Sequence, residues 1–256
     1  MSVSFTVEQT FVVIRLDSGA GNLVTGDLET LFADALGDLD QQPGLSALLL
    51  VAAGPDFSIG RDPSSLVFEN PPDRNAALER RLNLARRLLS LPIPSVAVLQ
   101  GRAAGPALSW AMLCDLRVAH EGARISVPEC ADGYLPEYGL LARLTQLAGT
   151  GVATDLVLTG RTITASEALA HGLVSRVIPG DRDVESEAKE FARPLQSSPP
   201  FSIKMARSVV ANLSQQAVEQ SLRIEFAAQA LALESADFAE LMAARREQRP
   251  PAFSGR

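Results

Sequence analysis

The chain has 256 residues, of which 46% are hydrophobic and 21% are charged, a balance that predicts an ordinary globular α/β protein rather than a disordered one. Its formal net charge of -7 argues against general attraction to nucleic acid or to anionic lipid. Cys114 and Cys130 are the two cysteines, and no basic-then-apolar leader or bilayer-length apolar run is present, so we expect a cytoplasmic protein with reduced thiols.

The first half of the chain predicts strands that alternate with helices. A hairpin of two short strands, 5–7 and 11–16, comes first. The elements predicted after it are a helix over 27–39, a turn at Pro43-Gly44, a buried strand over 45–52, a mobile polar segment over 63–75, a helix over 75–90, a strand over 95–99, a helix over 106–114 and strands over 116–119 and 124–127.

The second half is mainly helical. Helices are predicted near 139–148, 152–158, 165–171, 183–195 and 200–246, with one more strand over 174–178. Strand-helix alternation followed by helices predicts a parallel, layered α/β core over residues 1–198 and a helical C-terminal module over 199–256.

Several kinds of catalytic site lack their residues. The motifs HExxH, paired CxxC and GxSxG are absent, so we expect neither a metal site nor a serine hydrolase. The two histidines, His120 and His171, are interpreted as structural or exposed residues.

Four separated segments together resemble one family. Residues 56–62 (DFSIGRD) resemble its F-x-x-G-x-D loop, and residues 100–115 (QGRAAGPALSWAMLCD) are similar without a gap to N-G-x-A-x-G-G-G-x-E-L-A-x-x-C-D. Residues 123–129 (ARISVPE) resemble A-x-F-x-x-P-E, and residues 156–177 resemble L-x-L-T-G-x-x-x-x-A-x-x-A-x-x-x-G-L-V-x-x-V. In this order and spacing, over nearly the whole chain, they resemble the crotonase (enoyl-CoA hydratase/isomerase) superfamily.

This resemblance implies a fold and a substrate class. The fold is an α/β spiral of stacked ββα units followed by a helical trimerisation module, and the assembly is a homotrimer or homohexamer. The substrates are acyl-CoA thioesters, so coenzyme A enters as part of the substrate and no separate cofactor is expected. Two backbone N–H groups form an oxyanion hole that stabilises the enolate, while carboxylates move protons.

The first oxyanion donor is expected in the loop around Gly60. The resemblance implies the backbone N–H of Ile59 or Arg61, and a glycine at this point lets the chain approach a ligand closely. Asp62 begins the stretch that lies near coenzyme A in relatives. A plain turn at Gly60 is the alternative.

The second donor falls, by gap-free register, on Pro106, which has no N–H. Gly105 donates instead if the turn is rotated. Proline is also favoured at the start of a helix, so Pro106 has a structural explanation as well.

One of the family's two glutamates is replaced. Its position corresponds to Ser109, which cannot act as a base near neutral pH, whereas the second glutamate is retained as Glu129. The loss of one carboxylate points away from efficient water addition. Glu137 is a further candidate base or nucleophile and Tyr138 a candidate acid, although Glu137 also suits the first turn of the next helix.

Three functions remain open at this point. The first is an enoyl-CoA hydratase or isomerase that uses Glu129 and Glu137, with Ile59, Gly60, Asp62, Ser109 and Tyr138 at the substrate. The second is an acyl-CoA binding protein that has lost catalysis. The third is a CoA-independent carbon-carbon (β-diketone) hydrolase, whose required histidine cannot be placed in the matched motifs.

Overall fold

The computed structural model describes residues 1–42 and 44–256, so Pro43 of the predicted turn lies outside the described residues. Over this part of the chain the strands are β1 (Ser2–Glu8), β2 (Phe11–Asp17), β3 (Ala47–Ala52), β4 (Ser58–Ile59), β5 (Ser95–Leu99), β6 (Arg102–Ala104), β7 (Leu116–His120), β8 (Arg124–Ile125), β9 (Ile163–Thr164) and β10 (Arg176–Ile178). The α-helices are α1 (Gly26–Asp38), α2 (Pro71–Leu89), α3 (Gly105–Leu113), α4 (Leu140–Thr159), α5 (Ala165–Ala170), α6 (Val184–Ser197), α7 (Pro200–Glu234) and α8 (Ala236–Glu247).

The strands form two sheets. The larger has the order β1-β2-β3-β5-β7-β10, in which β1 and β2 are the predicted antiparallel hairpin and the other neighbours are parallel. The smaller has the order β4-β6-β8-β9, parallel except at β9. Three successive units, β3-β4-α2, β5-β6-α3 and β7-β8-α4, each place one strand in each sheet before a helix, which confirms the predicted stacking of ββα units.

The larger sheet is covered on both faces, as the apolar run in β3 predicts. Leu48 and Leu50 point into the main core, while Leu49 and Val51 point into a second core that includes residues of α6. Alternation of buried residues between two clusters is what a strand with two covered faces requires. Every residue of α3 is buried, so this helix lies inside the main core and fixes the position of its own N-terminus.

The C-terminal helices hold the loop that leads into α4. Glu225 of α7 accepts hydrogen bonds from the N–H groups of Gly139 (2.7 Å) and Leu141 (3.3 Å), which are otherwise unsatisfied at a helix start. The side chain of Gln229, also on α7, accepts one from the Leu135 N–H (2.7 Å). The division into domains at residue 198 stays a prediction.

Three boundaries differ from the predictions. The segment predicted as mobile, 63–75, contains a short 3-10 helix over Pro63–Leu66, and α2 begins at Pro71 because the Asn70 side chain caps it (3.0 Å to the Asp73 N–H). The helices predicted at 139–148 and 152–158 are one element with a break at Gly149. The helix predicted over 200–246 ends at Ser235, whose extended backbone starts α8. None of the described helices combines the length and the apolar character that crossing a membrane requires.

Candidate active site

The smaller sheet brings the two glycine-containing bends together. In the pairing of β4 with β6, Ile59 lies opposite Ala104, and the Phe57 N–H donates to the carbonyl of Gln100 (2.8 Å). The carboxylate of Asp56 accepts from the backbone N–H of Arg102 (2.7 Å). The loop after β3 and the turn before α3 are therefore fixed side by side.

Gly60 and Gly105 face each other at this junction. Both have positive φ, 126° and 68°, which favours glycine. A Cβ on Gly105 would lie 2.6 Å from the Cα of Gly60 and 3.1 Å from the backbone nitrogen of Arg61, so the backbones touch with no room for a side chain. A Cβ on Gly60 would meet no atom within 4 Å, which leaves open space on that side.

The backbone donors at the two bends differ. The Gly60 N–H donates to the Ser58 hydroxyl (3.2 Å), whereas the Arg61 N–H donates no hydrogen bond within the described part of the chain. Pro106 is the second residue of α3 and supplies no N–H. The arrangement thus offers Arg61 as the donor of the first bend and leaves the second bend without an N–H at the position that the family motif assigns.

Glu129 lies within the electrostatic influence of Arg61, the residue after Gly60, and one of its carboxyl oxygens is buried without a partner among the described residues. The strand that leads to it pairs with β6, and Ser126 donates its N–H to the carbonyl of Ala103 (3.2 Å). Glu129 is 2% exposed, and its Oε2 has no hydrogen-bond partner among the described residues. Burial raises its pKa to about 7, against the opposing effect of the Arg61 cation and with an added contribution from Glu137. Such a carboxyl can both accept and donate a proton near neutral pH.

Three buried charged side chains and the partly buried Glu29 close a ring near Glu129. Arg61 pairs with Glu29 (2.8 Å) and Glu137 (2.6 Å), and Arg81 pairs with the same two glutamates (3.2 and 3.0 Å). We call this set of Glu29, Arg61, Arg81 and Glu137 the four-charge ring. The hydroxyl of Tyr138 donates to Oε1 of Glu29 (2.6 Å).

The ring keeps Glu29 and Arg61 ionised. Burial alone would raise the pKa of Glu29, but the cations of Arg61 and Arg81 outweigh it and lower that pKa. Burial would likewise lower the pKa of Arg61, yet Glu137 and Glu29 raise it well above its ordinary value. Burial and the charge of Glu29 raise the pKa of Tyr138, so its phenol stays protonated and acts as a donor.

Glu137 and Tyr138 both have partners within the four-charge ring, and their predicted roles in proton transfer stay predictions. Oε2 of Glu137 accepts from Arg61 and Oε1 accepts from Arg81, so both oxygens are held by guanidinium groups. Tyr138 is 2% exposed, and its ring contacts Trp110 edge to face. This geometry favours organisation of the site over proton transfer for both residues.

The remaining predicted residues have local partners. Ser109 is buried within α3, with its hydroxyl 3.5 Å from the carbonyl of Gly105 one turn earlier. Asp62 caps the 3-10 helix after it through the N–H of Ser64 (2.9 Å). Ile59 lies in β4, where its side chain covers Gly21.

Glu29 and Arg81 are site residues that the sequence reasoning missed. Arg81 did carry a signal, because it falls in the buried stripe of α2 among Leu78, Leu84 and Leu88, where an unpaired arginine would be costly. Glu29 carried none, since an acidic residue in the first turn of a helix is ordinary.

A small apolar cluster and a cavity lie on the side of Glu129 that contains Tyr134. Leu66, Tyr134 and Phe238 form a small apolar cluster, and the charge of Glu129 contributes to the raised pKa of Tyr134 after burial. Leu66 and Phe238 also line a cavity of about 410 Å³ between residues 66–71 and the helices α7 and α8. This apolar space adjoins the cluster that contains Tyr134, whose backbone N–H donates to the carbonyl of Glu129 (3.1 Å).

Stacked ββα units with two facing glycine bends and a neighbouring buried glutamate define a fold and site of the crotonase type. The family model for enoyl-CoA hydratase/isomerase matches residues 6–256. A protein of Thermus thermophilus named as an enoyl-CoA hydratase is 31% identical over 245 residues, covering 94% of this chain and 96% of that one. The chain therefore belongs to the enoyl-CoA hydratase/isomerase family, as its four motifs predicted.

Further relatives agree with this assignment. The 1,2-epoxyphenylacetyl-CoA isomerase of Escherichia coli is 28% identical over 92% of this chain and 91% of its own. The crystal structure of an enoyl-CoA hydratase/isomerase from Pseudoalteromonas atlantica is 27% identical and superposes with a TM-score of 0.88, covering 99% of this chain and 100% of that one. The predicted crotonase fold is confirmed, and the family supports an acyl-CoA-processing enzyme.

Proposed function

We propose that this protein is an acyl-CoA-processing enzyme of the hydratase/isomerase type in which Glu129 is the single acid-base residue and the Arg61 N–H is an oxyanion donor. The observation that carries the proposal is the buried, unpartnered Oε2 of Glu129, which feels the charge of Arg61 at the junction of the facing bends at Gly60 and Gly105. The matched family and its acyl-CoA relatives supply the substrate class.

One carboxylate suits proton transfer between carbons better than water addition. With a 3-enoyl thioester, ionised Glu129 removes a proton from C2, the electron pair spreads onto the thioester oxygen as an enolate, and the same carboxyl returns the proton at C4. The double bond then lies between C2 and C3, and no water is consumed. Water addition would call for a second carboxylate, and Ser109 stands at that position. We therefore favour the isomerase reaction.

Coenzyme A is proposed as part of the substrate, with no other cofactor. The acyl group would extend toward Leu66 and Phe238, whose cavity of about 410 Å³ provides apolar surface for it. Exclusion of water by these side chains would strengthen the hydrogen bonds to the enolate.

An acyl-CoA binding protein without catalysis is the second candidate, and Pro106 together with Ser109 favours it. The β-diketone hydrolase has less support, because the histidines lie elsewhere: His120 contacts Gly180, and His171 contacts Glu167.

We also propose that the chain forms a homotrimer or homohexamer. One face of α7 carries an apolar residue at every fourth position, with 43–84% of each residue's surface exposed: Phe201, Met205, Val209 and Leu213. In a monomer this apolar stripe would face water, whereas contact with another subunit would cover it. Replacing Leu213 by Glu should therefore reduce the assembly to smaller species in sedimentation velocity, whereas Glu79→Gln on the exposed side of α2 should not. An unchanged sedimentation coefficient for the Leu213 variant would contradict this interface.

The proposed reaction is tested with 3-enoyl-CoA esters of several chain lengths, by following the absorbance of the conjugated 2-enoyl thioester that forms. The wild type should convert at least one of them, Glu129→Gln should not, and Glu79→Gln should match the wild type. Calorimetric binding of the same esters without any conversion would instead establish the binding protein.

A further inference from the structure

The Arg61 side chain has one nitrogen, Nε, without any hydrogen-bond partner among the described residues. Nη1 donates to Glu29 (2.8 Å) and lies 3.4 Å from the Ser65 hydroxyl, and Nη2 donates to Glu137 (2.6 Å). The side chain is fully buried, and its Nε–H has no acceptor among the described residues. Leaving a buried donor unpaired costs about 1–3 kcal/mol, more when the group is charged, so an unused donor of this kind points to a ligand.

The same residue, Arg61, supplies the proposed backbone donor of the oxyanion site. The Arg61 backbone nitrogen is 3.1 Å from where a Cβ on Gly105 would lie, at the junction of the two bends. The second bend has lost its N–H at Pro106. A developing oxyanion in this site therefore has one backbone donor at the positions that the motifs assign, and the same residue carries a side-chain N–H without a partner among the described residues.

We propose that the Nε–H of Arg61 donates the second hydrogen bond to the thioester oxygen, in place of the N–H missing at Pro106. The inference rests on the proposed function. It makes Arg61 a catalytic residue twice, once through its backbone and once through its side chain.

The four-charge ring explains how such a donor can be preorganised. Glu29 and Glu137 fix both Nη atoms, which sets the plane of the guanidinium group and hence the direction of the Nε–H. Because the two carboxylates already balance the charges of Arg61 and Arg81, the Nε–H acts as an oriented dipole. A donor held in place before the reaction is the arrangement that stabilises an enolate most effectively.

A double-mutant cycle tests the substitution of one donor for the other. Arg61→Lys keeps the charge but removes the Nε–H, and we expect kcat to fall by about 10²-fold or more. Pro106→Ala restores an N–H in the second bend, and in that background we expect the cost of Arg61→Lys to fall below about 10-fold. The matched control is Arg81→Lys, which alters the same ring without removing an unused donor, so its effect should be equal in both backgrounds.

A spectroscopic readout separates this inference from the proposed function. A saturated acyl-CoA with a ¹³C-labelled thioester carbonyl is bound to each variant, and its infrared carbonyl band is recorded together with a melting curve that verifies folding. The band should shift to lower frequency on the wild type, less on Arg61→Lys, and recover in the Arg61→Lys/Pro106→Ala protein.

Two results would overturn the inference. If acyl-CoA binds and reacts, but the cost of Arg61→Lys is the same with and without Pro106→Ala and the band is unchanged, the proposed function stands and the role of Nε is rejected. If the wild type binds no acyl-CoA ester at all, both proposals fail together.

Discussion

Replacing Glu129 by Gln should abolish turnover while making the protein more stable above neutral pH. The carboxyl has its ordinary pKa of 4.5 in the unfolded chain, and burial raises that value to about 7 in the folded protein. Between these values the folded state holds a proton that the unfolded state has released, so raising the pH favours unfolding. At about 1.4 kcal/mol for each pH unit, this carboxyl lowers the free energy of unfolding of the wild type by about 3 kcal/mol by pH 8.

The neutral amide of the variant does not incur this loss. Its melting temperature should match that of the wild type near pH 4.5, rise above it between pH 5 and 7, and exceed it by roughly 6–12 °C at pH 8. Over the same range kcat should be at least about 10²-fold lower, because no group remains to carry the proton.

The assay is a set of melting curves from pH 4.5 to 9 alongside the double-bond migration assay, with the exposed Glu79→Gln as control. Parallel melting curves for Glu129→Gln and wild type would show that the carboxyl is not held neutral by burial. Retained turnover would remove Glu129 as the acid-base residue.

Two further substitutions test the geometry around this residue. Gly105→Ala should lower both stability and kcat, because the new Cβ would lie 2.6 Å from the Cα of Gly60. The control is Gly54→Ala, where φ is similarly positive but no atom lies within 4 Å of the new Cβ, so only stability should fall. Equal kcat values for the two variants would contradict the close contact. Glu137→Gln should lower the free energy of unfolding, measured by urea denaturation, by about 3 kcal/mol or more, because it removes a charged partner of both Arg61 and Arg81. Lost turnover at unchanged stability would instead support the proton-transfer role predicted for Glu137.

The sequence predicted the elements whose patterns are long and consistent. The strand β5 was predicted with the bounds that it has, Ser95–Leu99, and α3 to within one residue at each end. The strands β4 and β9 have two residues each, too few for an alternating pattern to be visible, and the smaller sheet was therefore not predicted as a separate sheet.

The four-charge ring could not be predicted in the same way. Its members lie in α1, the loop after β4, α2 and the segment before α4. Glu29, Arg61 and Glu137 are ordinary charged residues in their local sequence, and only Arg81 carries a local signal, its place in the buried stripe of α2. Only folding brings the charges within ion-pair distance. The motifs indicated the backbone of Arg61 and offered Glu137 as a base. Both oxygens of Glu137 are occupied by arginines that are distant in sequence, Arg61 by 76 positions and Arg81 by 56.

The energetics of the ring argue that it serves the site more than the fold. Buried ion pairs often contribute little net stability, because removing the charges from water costs about as much as their attraction returns. An apolar cluster of similar volume would stabilise the same four segments at less cost. What such a cluster cannot do is fix the Arg61 guanidinium beside Glu129, where its cation opposes the effect of burial on the carboxyl pKa. With Ser109 and Pro106 in place of a carboxylate and an N–H donor, the cation that acts on Glu129 comes from this ring.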